Sequence, residues 1–120
     1  MMEQGSPEWL AVRAGKVTAS RVADILAQTK TGASASRASY LAELVAERLT
    51  GQPAESFSNA AMQRGTELEP RARECYEFDR GVDVEQVAFV EHPHIPNFGA
   101  SPDGIMRRDI VGGAVLIEIK

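Results

Sequence analysis

Apolar residues recur at helical spacing through roughly the first two thirds of the chain, then give way to alternation and a final apolar run. Ser6-Pro7-Glu8 opens a first helix, with a capping hydroxyl, a proline suited to the first position and an acid at the positive end of the dipole. Trp9, Leu10 and Val12 give it apolar content and Gly15 stops it. Thr18-Ala19-Ser20 offers capping hydroxyls for a second helix, whose Val22, Ile25 and Leu26 share one face. Residues 29–36 read as a loop holding Lys30. A third helix is predicted from about Ser36 to Thr50, with Tyr40, Leu41, Leu44, Val45 and Leu49 as its buried stripe. A fourth covers roughly Ser58 to Arg80, bent or divided by Gly65 and Pro70.

After Gly81 the texture changes. Alternation and β-branched residues from Val84 to Glu91 predict a strand. His92 to Pro96 is a non-helical turn, Phe98 to Ser101 is extended, Pro102-Asp103-Gly104 is a tight turn, and Ile105-Met106 is extended again. The chain turns over 107–113. Ala114 to Lys120 then predicts a strand buried on both faces, since Val115, Leu116, Ile117 and Ile119 are nearly continuous. Helices followed by antiparallel strands place the chain in the α+β class. A sheet whose best strand comes last is expected to be incomplete at the C-terminus.

At 120 residues the chain is one domain at most, expected to be the N-terminal part of a single domain. With 43% hydrophobic and 25% charged residues, disorder is not its dominant state. No apolar run approaches the roughly 20 residues that span a bilayer. The polar opening from Met1 to Ser6 is not a signal peptide, so a soluble cytoplasmic protein is expected. The single cysteine, Cys75, excludes an internal disulfide and a cysteine-based zinc site, and reads as a small apolar residue on a helix.

A net charge of −4 argues mildly against a nucleic-acid partner, but its distribution matters more. Residues 1–50 hold six Lys/Arg against five Asp/Glu, and residues 51–120 hold seven against twelve. Carboxylates gathered for a divalent cation give such an excess, which the ion then cancels.

Three features carry candidate chemistry: Ser101-Pro102-Asp103-Gly104, Glu118-Ile119-Lys120, and Glu67-Leu68-Glu69. Glu118 and Lys120 lie two apart on the predicted strand and share a face. Such a pair at the end of an apolar strand needs partners, and Asp103 on a neighbouring hairpin can supply one. Converging carboxylates suit Mg²⁺ or Mn²⁺, with the Ile119 carbonyl as a further oxygen. A lysine beside them can orient or deprotonate a water, or stabilise charge on a phosphate. Asp-Gly turns and Glu-x-Lys pairs are each common in ordinary sheets, so the signal lies in the set. Spacing alone reads Glu67 and Glu69 as a solvated helix face.

Asp103 followed by Glu118-x-Lys120 resembles the PD-(D/E)xK nuclease superfamily. More narrowly, the chain resembles the lambda exonuclease or YqaJ-type viral recombinase family. Trp9 through Arg13 to Gly15-Lys16-Val17-Thr18-Ala19-Ser20 is similar to that family's opening motif, and Gly65 to Glu69 to its second. Ser101-Pro102-Asp103-Gly104 and Glu118-Ile119-Lys120 match its third and fourth, in order over nearly the whole chain.

The resemblance implies helices packed on a mixed central β-sheet of restriction-endonuclease-like type. It implies Asp103, Glu118 and Ile119 as Mg²⁺ ligands (Mn²⁺ being possible), with Glu69 holding the ion or its water shell, and Lys120 as the catalytic lysine. Arg13, Ser20 and, less specifically, Lys30 would grip a 5′-phosphate, and an arginine fork with a hydroxyl near a helix start is chemically suited to that. The implied activity is 5′-to-3′ digestion of double-stranded DNA ends, leaving 3′ single strands for a single-strand annealing protein. It further implies a homotrimer, encoded by a phage or prophage and working in the bacterial cytoplasm. Two other readings use the same residues: a structure-specific or DNA-end endonuclease of the superfamily, and a truncated module that binds DNA ends without cutting.

Overall fold

The computed structural model describes residues 2–54, 58–107 and 113–120. Its contacts divide the chain into two compact units, Met1–Glu55 with Ala88–Ser101 and Ser56–Val87 with Pro102–Lys120. The class is α+β with mixed strand pairing, as the sequence predicts.

In the first unit, α1 spans Pro7–Arg13, and the Ser6 hydroxyl accepts from Trp9 N at 3.2 Å. A left-handed turn at Gly15 leads into β1, Val17–Thr18. A 3₁₀ turn over Ala19–Arg21 and the short helix α2, Val22–Leu26, follow. The Thr18 side chain does not cap them; its hydroxyl lies 3.2 Å from that of Ser20. The expected loop at 29–36 instead contains a hairpin, β2 (Gln28–Thr29) and β3 (Gly32–Ala33), with Lys30 in its turn. Thr29 Oγ1 bonding across to the Gly32 carbonyl favours that closure.

Helix α3 runs Ala35–Thr50 and ends on Gly51 in the left-handed region. Its predicted buried stripe is corrected in part: Tyr40 is buried and Leu44 half-buried, while Leu41, Val45 and Leu49 are exposed. The face turned inward carries Glu43 and Glu47 beside Tyr40 and Leu44, spaced i, i+3, i+4, i+7. Arg21 pairs with Glu43, and Gly15 N donates to Glu47 Oε2 at 2.6 Å, so polar bonds set the orientation of the helix.

The sheet of this unit has the order β1–β5–β4. Central β5 (Phe98–Ala100) lies parallel to β1 and antiparallel to β4 (Val90–Glu91). Trp9 Nε1 donates to the Ala88 carbonyl at 2.7 Å and to Ser101 Oγ at 3.1 Å, holding α1 to the chain on either side of this hairpin.

The second unit is built on α4, Ala60–Arg80, capped by Asn59 Oδ1, which accepts from Met62 N. The expected bend or division is corrected to one helix with Pro70 inside it. A proline forfeits a single backbone bond, and the turns on both sides of Pro70 continue the helix. Glu77 Oε1 accepts from Val84 N at 2.7 Å just past the helix end. Strands β6 (Gly104–Arg107) and β7 (Ala114–Ile117) pair antiparallel, Gly104 opposite Ile117. Ile105 also bridges Glu85 through two 2.8 Å backbone bonds and is buried.

Two strand expectations change. The segment from Val84 to Glu91 is not one strand: Glu85 pairs within the second unit and Val90–Glu91 within the first, and between them the Ala88 carbonyl is taken by the Trp9 indole. The last strand stops at Ile117 rather than Lys120, and alternates between exposed Ala114 and Leu116 and half-buried Val115 and Ile117. The turn expected at 107–113 falls mostly outside the described residues. No helix among the described residues is long and apolar enough to cross a membrane.

Gly15 has φ +71°, and a Cβ there would collide with Arg48 Cγ. Gly15→Ala is expected to destabilise the chain by about 1–2 kcal/mol from the backbone alone. It also displaces Arg48, whose Nε donates to the Gly15 carbonyl at 3.0 Å. Urea unfolding should show a lower midpoint at unchanged slope.

Candidate active site

Asp103 sits between the buried Pro102 and the buried Gly104 that begins β6. Gly104 is required by space, since a Cβ would collide with Val84 Cγ1. Asp103 N donates to the Ile117 carbonyl at 3.0 Å, and its carboxylate Oδ2 accepts from Ile119 N at 2.6 Å. The side chain thus replaces a strand partner just past the end of β7. Its other oxygen, Oδ1, makes no hydrogen bond among the described residues.

Glu118 and Lys120 flank the residue that Asp103 holds. Both are exposed, and Ile119 between them is half-buried. Neither the Glu118 nor the Lys120 side chain has a hydrogen bond or ion pair among the described residues. Glu69 is half-buried on α4 and its Oε1 accepts from Arg73 Nη1 at 2.6 Å. The same Nη1 donates to the Asp103 carbonyl at 3.3 Å. Glu67 is exposed.

Among the described residues no three His, Cys, Asp or Glu side chains converge closely enough to hold a metal ion. Glu69, Asp103 and Glu118 therefore form no closed cage, and the arginine stands between Glu69 and the Asp103 loop. A closed cage is not what Mg²⁺ demands. It is a hard cation that takes one or two carboxylates, retains waters and accepts substrate phosphate oxygens. Asp103 and Glu118 present oxygen donors of that kind, and the donor set fits.

In the first unit, Arg13 lies at the end of α1 with its guanidinium carbon 4.0 Å from the Trp9 ring centroid. Its Nε is buried and has no hydrogen-bond partner among the described residues. Burial pulls its pKa below the usual arginine value, against the raising influence of Tyr40 and Glu47. A buried donor without an acceptor is costly, and an anion is the natural acceptor for a guanidinium. Ser20 is exposed beside Thr18, and Lys30 is exposed in the β2–β3 turn. No hydrogen bond joins either of them to Arg13 among the described residues.

Sequence reasoning missed two residues. Arg73 follows Glu69 by four on a helix, a spacing that could have paired them. Tyr40 passed as an apolar stripe residue, but its hydroxyl accepts from Thr18 N at 3.2 Å and its ring lies under Arg21, 4.3 Å from the guanidinium carbon. Arg21 in turn is bonded to Glu43 and Asp24, which raise its pKa.

The YqaJ-like viral recombinase domain profile matches residues 8–120. A crystal structure of LHK-Exo in complex with dAMP is similar at 55% identity and TM-score 0.72, over 84% of this chain and 48% of that one. Another, of the alkaline exonuclease LHK-Exo from Laribacter hongkongensis, is similar at 54% identity and TM-score 0.71, with the same coverage. The chain thus spans about half the length of these exonucleases. No curated protein sequence matches it.

Asp103→Ala leaves Ile119 N without its acceptor and is expected to destabilise by about 1–3 kcal/mol. Asp103→Asn keeps an acceptor oxygen in place and should retain most of that stability. Comparing the two by thermal unfolding isolates the structural part of the aspartate from its charge; equal losses would show that the bond to Ile119 contributes nothing.

Proposed function

The chain belongs to the YqaJ-like viral recombinase domain family, and from that membership we propose that it is the active-site portion of a metal-dependent deoxyribonuclease that digests double-stranded DNA ends from 5′ to 3′. The observation that carries the reading is the Asp103 carboxylate, which accepts from the backbone N–H of Ile119, the residue between Glu118 and Lys120 in the sequence. The likeness to alkaline exonuclease structures supports a nuclease rather than another use of the same residues.

In this reading Asp103 and Glu118 would hold Mg²⁺, or Mn²⁺ in its place, with the Ile119 carbonyl as a further oxygen and Glu69 helping to hold the ion or its water shell. The ion supplies Lewis-acid activation of water and neutralises charge on the scissile phosphate. The bond from Ile119 N fixes one Asp103 oxygen and leaves the other to face the ligand, so the aspartate is oriented before substrate arrives. Lys120 holds its ammonium on the same side as Glu118. There it stabilises the phosphate oxygens or takes a proton from the attacking water. Arg13 binds a 5′-phosphate, giving its buried Nε the acceptor it lacks, and Ser20 and Lys30 contribute polar contacts on the DNA end. The product is a 3′ single strand for a single-strand annealing protein. Family resemblance supports a homotrimer at work in the cytoplasm of a bacterial host.

The test is linear duplex DNA with one 5′-phosphorylated end and one 5′-hydroxyl end, labelled separately and incubated with the full-length protein and Mg²⁺. Mononucleotides should appear faster from the phosphorylated end, chelation should stop the reaction, and Arg13→Ala should abolish the preference between ends. Lys120→Ala should lower the rate at least about a hundredfold. Nicking of closed circular duplex would identify an endonuclease instead, and metal-free end binding without digestion would identify a binding module.

A further inference from the structure

Arg73 is more enclosed than the glutamate it pairs with: its side chain is 12% exposed and that of Glu69 is 24% exposed. A guanidinium that far from water must recover its lost hydration through charge and hydrogen bonds. Both acceptors it finds belong to the candidate active site. Its Nη1 donates to Glu69 Oε1 at 2.6 Å and to the Asp103 carbonyl at 3.3 Å. Its stem passes the same turn, since a Cβ on Gly104 would lie 3.8 Å from Arg73 Cδ. An ordinary helix-surface pair at this spacing has no second acceptor on another element and contributes little. Arg73 touches both α4, through Glu69, and the turn that presents Asp103. It takes the backbone of that turn and leaves the Asp103 carboxylate to Ile119.

We propose that Arg73 is a positioning residue of the metal site, fixing the Glu69 carboxylate and anchoring the Asp103 turn so that their oxygens are set before the ion binds. The inference rests on the metal-dependent reading above. Two effects of opposite sign compete. A cation near a cation site repels the incoming ion, which by itself would make loss of Arg73 tighten binding. Its charge is already balanced by Glu69, however, so the ion meets a paired dipole rather than a free charge. Without Arg73, Glu69 turns toward water and the Asp103 carbonyl loses its donor. Loss of orientation therefore outweighs loss of repulsion, in line with the weaker metal binding that follows removal of outer-shell partners.

The probe is Mn²⁺ alone, added to the full-length protein without DNA, with free ion measured by its paramagnetic resonance signal. Arg73→Ala is expected to weaken Mn²⁺ binding about tenfold. Arg73→Lys keeps the charge and a donor at the same helical spacing, and because both bonds of Arg73 among the described residues come from one nitrogen it should remain within about threefold of the parent. Far-UV circular dichroism checks folding, and if Arg73→Ala does not fold, Arg73→Gln, which keeps a donor without the charge, is judged by the same tenfold criterion. Parental or tighter binding in Arg73→Ala, alongside loss in Asp103→Ala, overturns the role of Arg73 and leaves the metal site standing. Parental binding in Asp103→Ala as well overturns the metal site and this role together.

Discussion

Past Ile117 the final segment has no backbone partner among the described residues, and a side chain takes over the ladder. Asp103 N reaches the Ile117 carbonyl, and its carboxylate reaches Ile119 N, so one residue closes two successive bonds on the neighbouring segment. Everything chemically notable in the second unit is referred to that clasp. It ties down Ile119, the residue between Glu118 and Lys120, and engages one of the two aspartate oxygens. The clasp itself depends on Gly104 being bare, on the bridge between Ile105 and Glu85, and on Arg73 holding the Asp103 carbonyl.

The first unit is organised by polar contacts to a comparable degree. Glu47 and Arg48 bond the N–H and the carbonyl of Gly15 respectively, Tyr40 receives Thr18 N, and Glu43 receives Arg21. Helix α3 is therefore oriented by its hydrogen-bonding face, and the apolar edge at Leu41, Val45 and Leu49 is left exposed in this chain. The result is a support for the turn that follows Arg13, whose buried Nε has no hydrogen-bond partner among the described residues.

Much of this was legible in the sequence where local chemistry decides the outcome. Ser6, Gly51 and Gly81 mark helix ends because capping and left-handed backbone are properties of one or two residues. Asp103, Glu118 and Lys120 stand out as a set next to an apolar run, although each motif alone is common. What the sequence hid depends on partners distant along the chain. The stripe on α3 fits a buried helix by period, yet Glu43 and Glu47 share the inward face through Arg21 and Gly15. The alternation from Val84 to Glu91 reads as one strand, yet Trp9 claims the carbonyl in its middle. Arg73 owes its place to a second acceptor thirty residues away, the Asp103 carbonyl, which helical spacing does not reveal.

The chain has one tryptophan, and it is the residue whose ring lies against the Arg13 guanidinium while its indole N–H is committed to Ala88 and Ser101. Its fluorescence therefore arises from a single, well-defined environment next to the unsatisfied cation. Any anion that draws the guanidinium away from the ring changes the field across the indole. The molecule carries an optical gauge of that event in its own sequence, readable without a label.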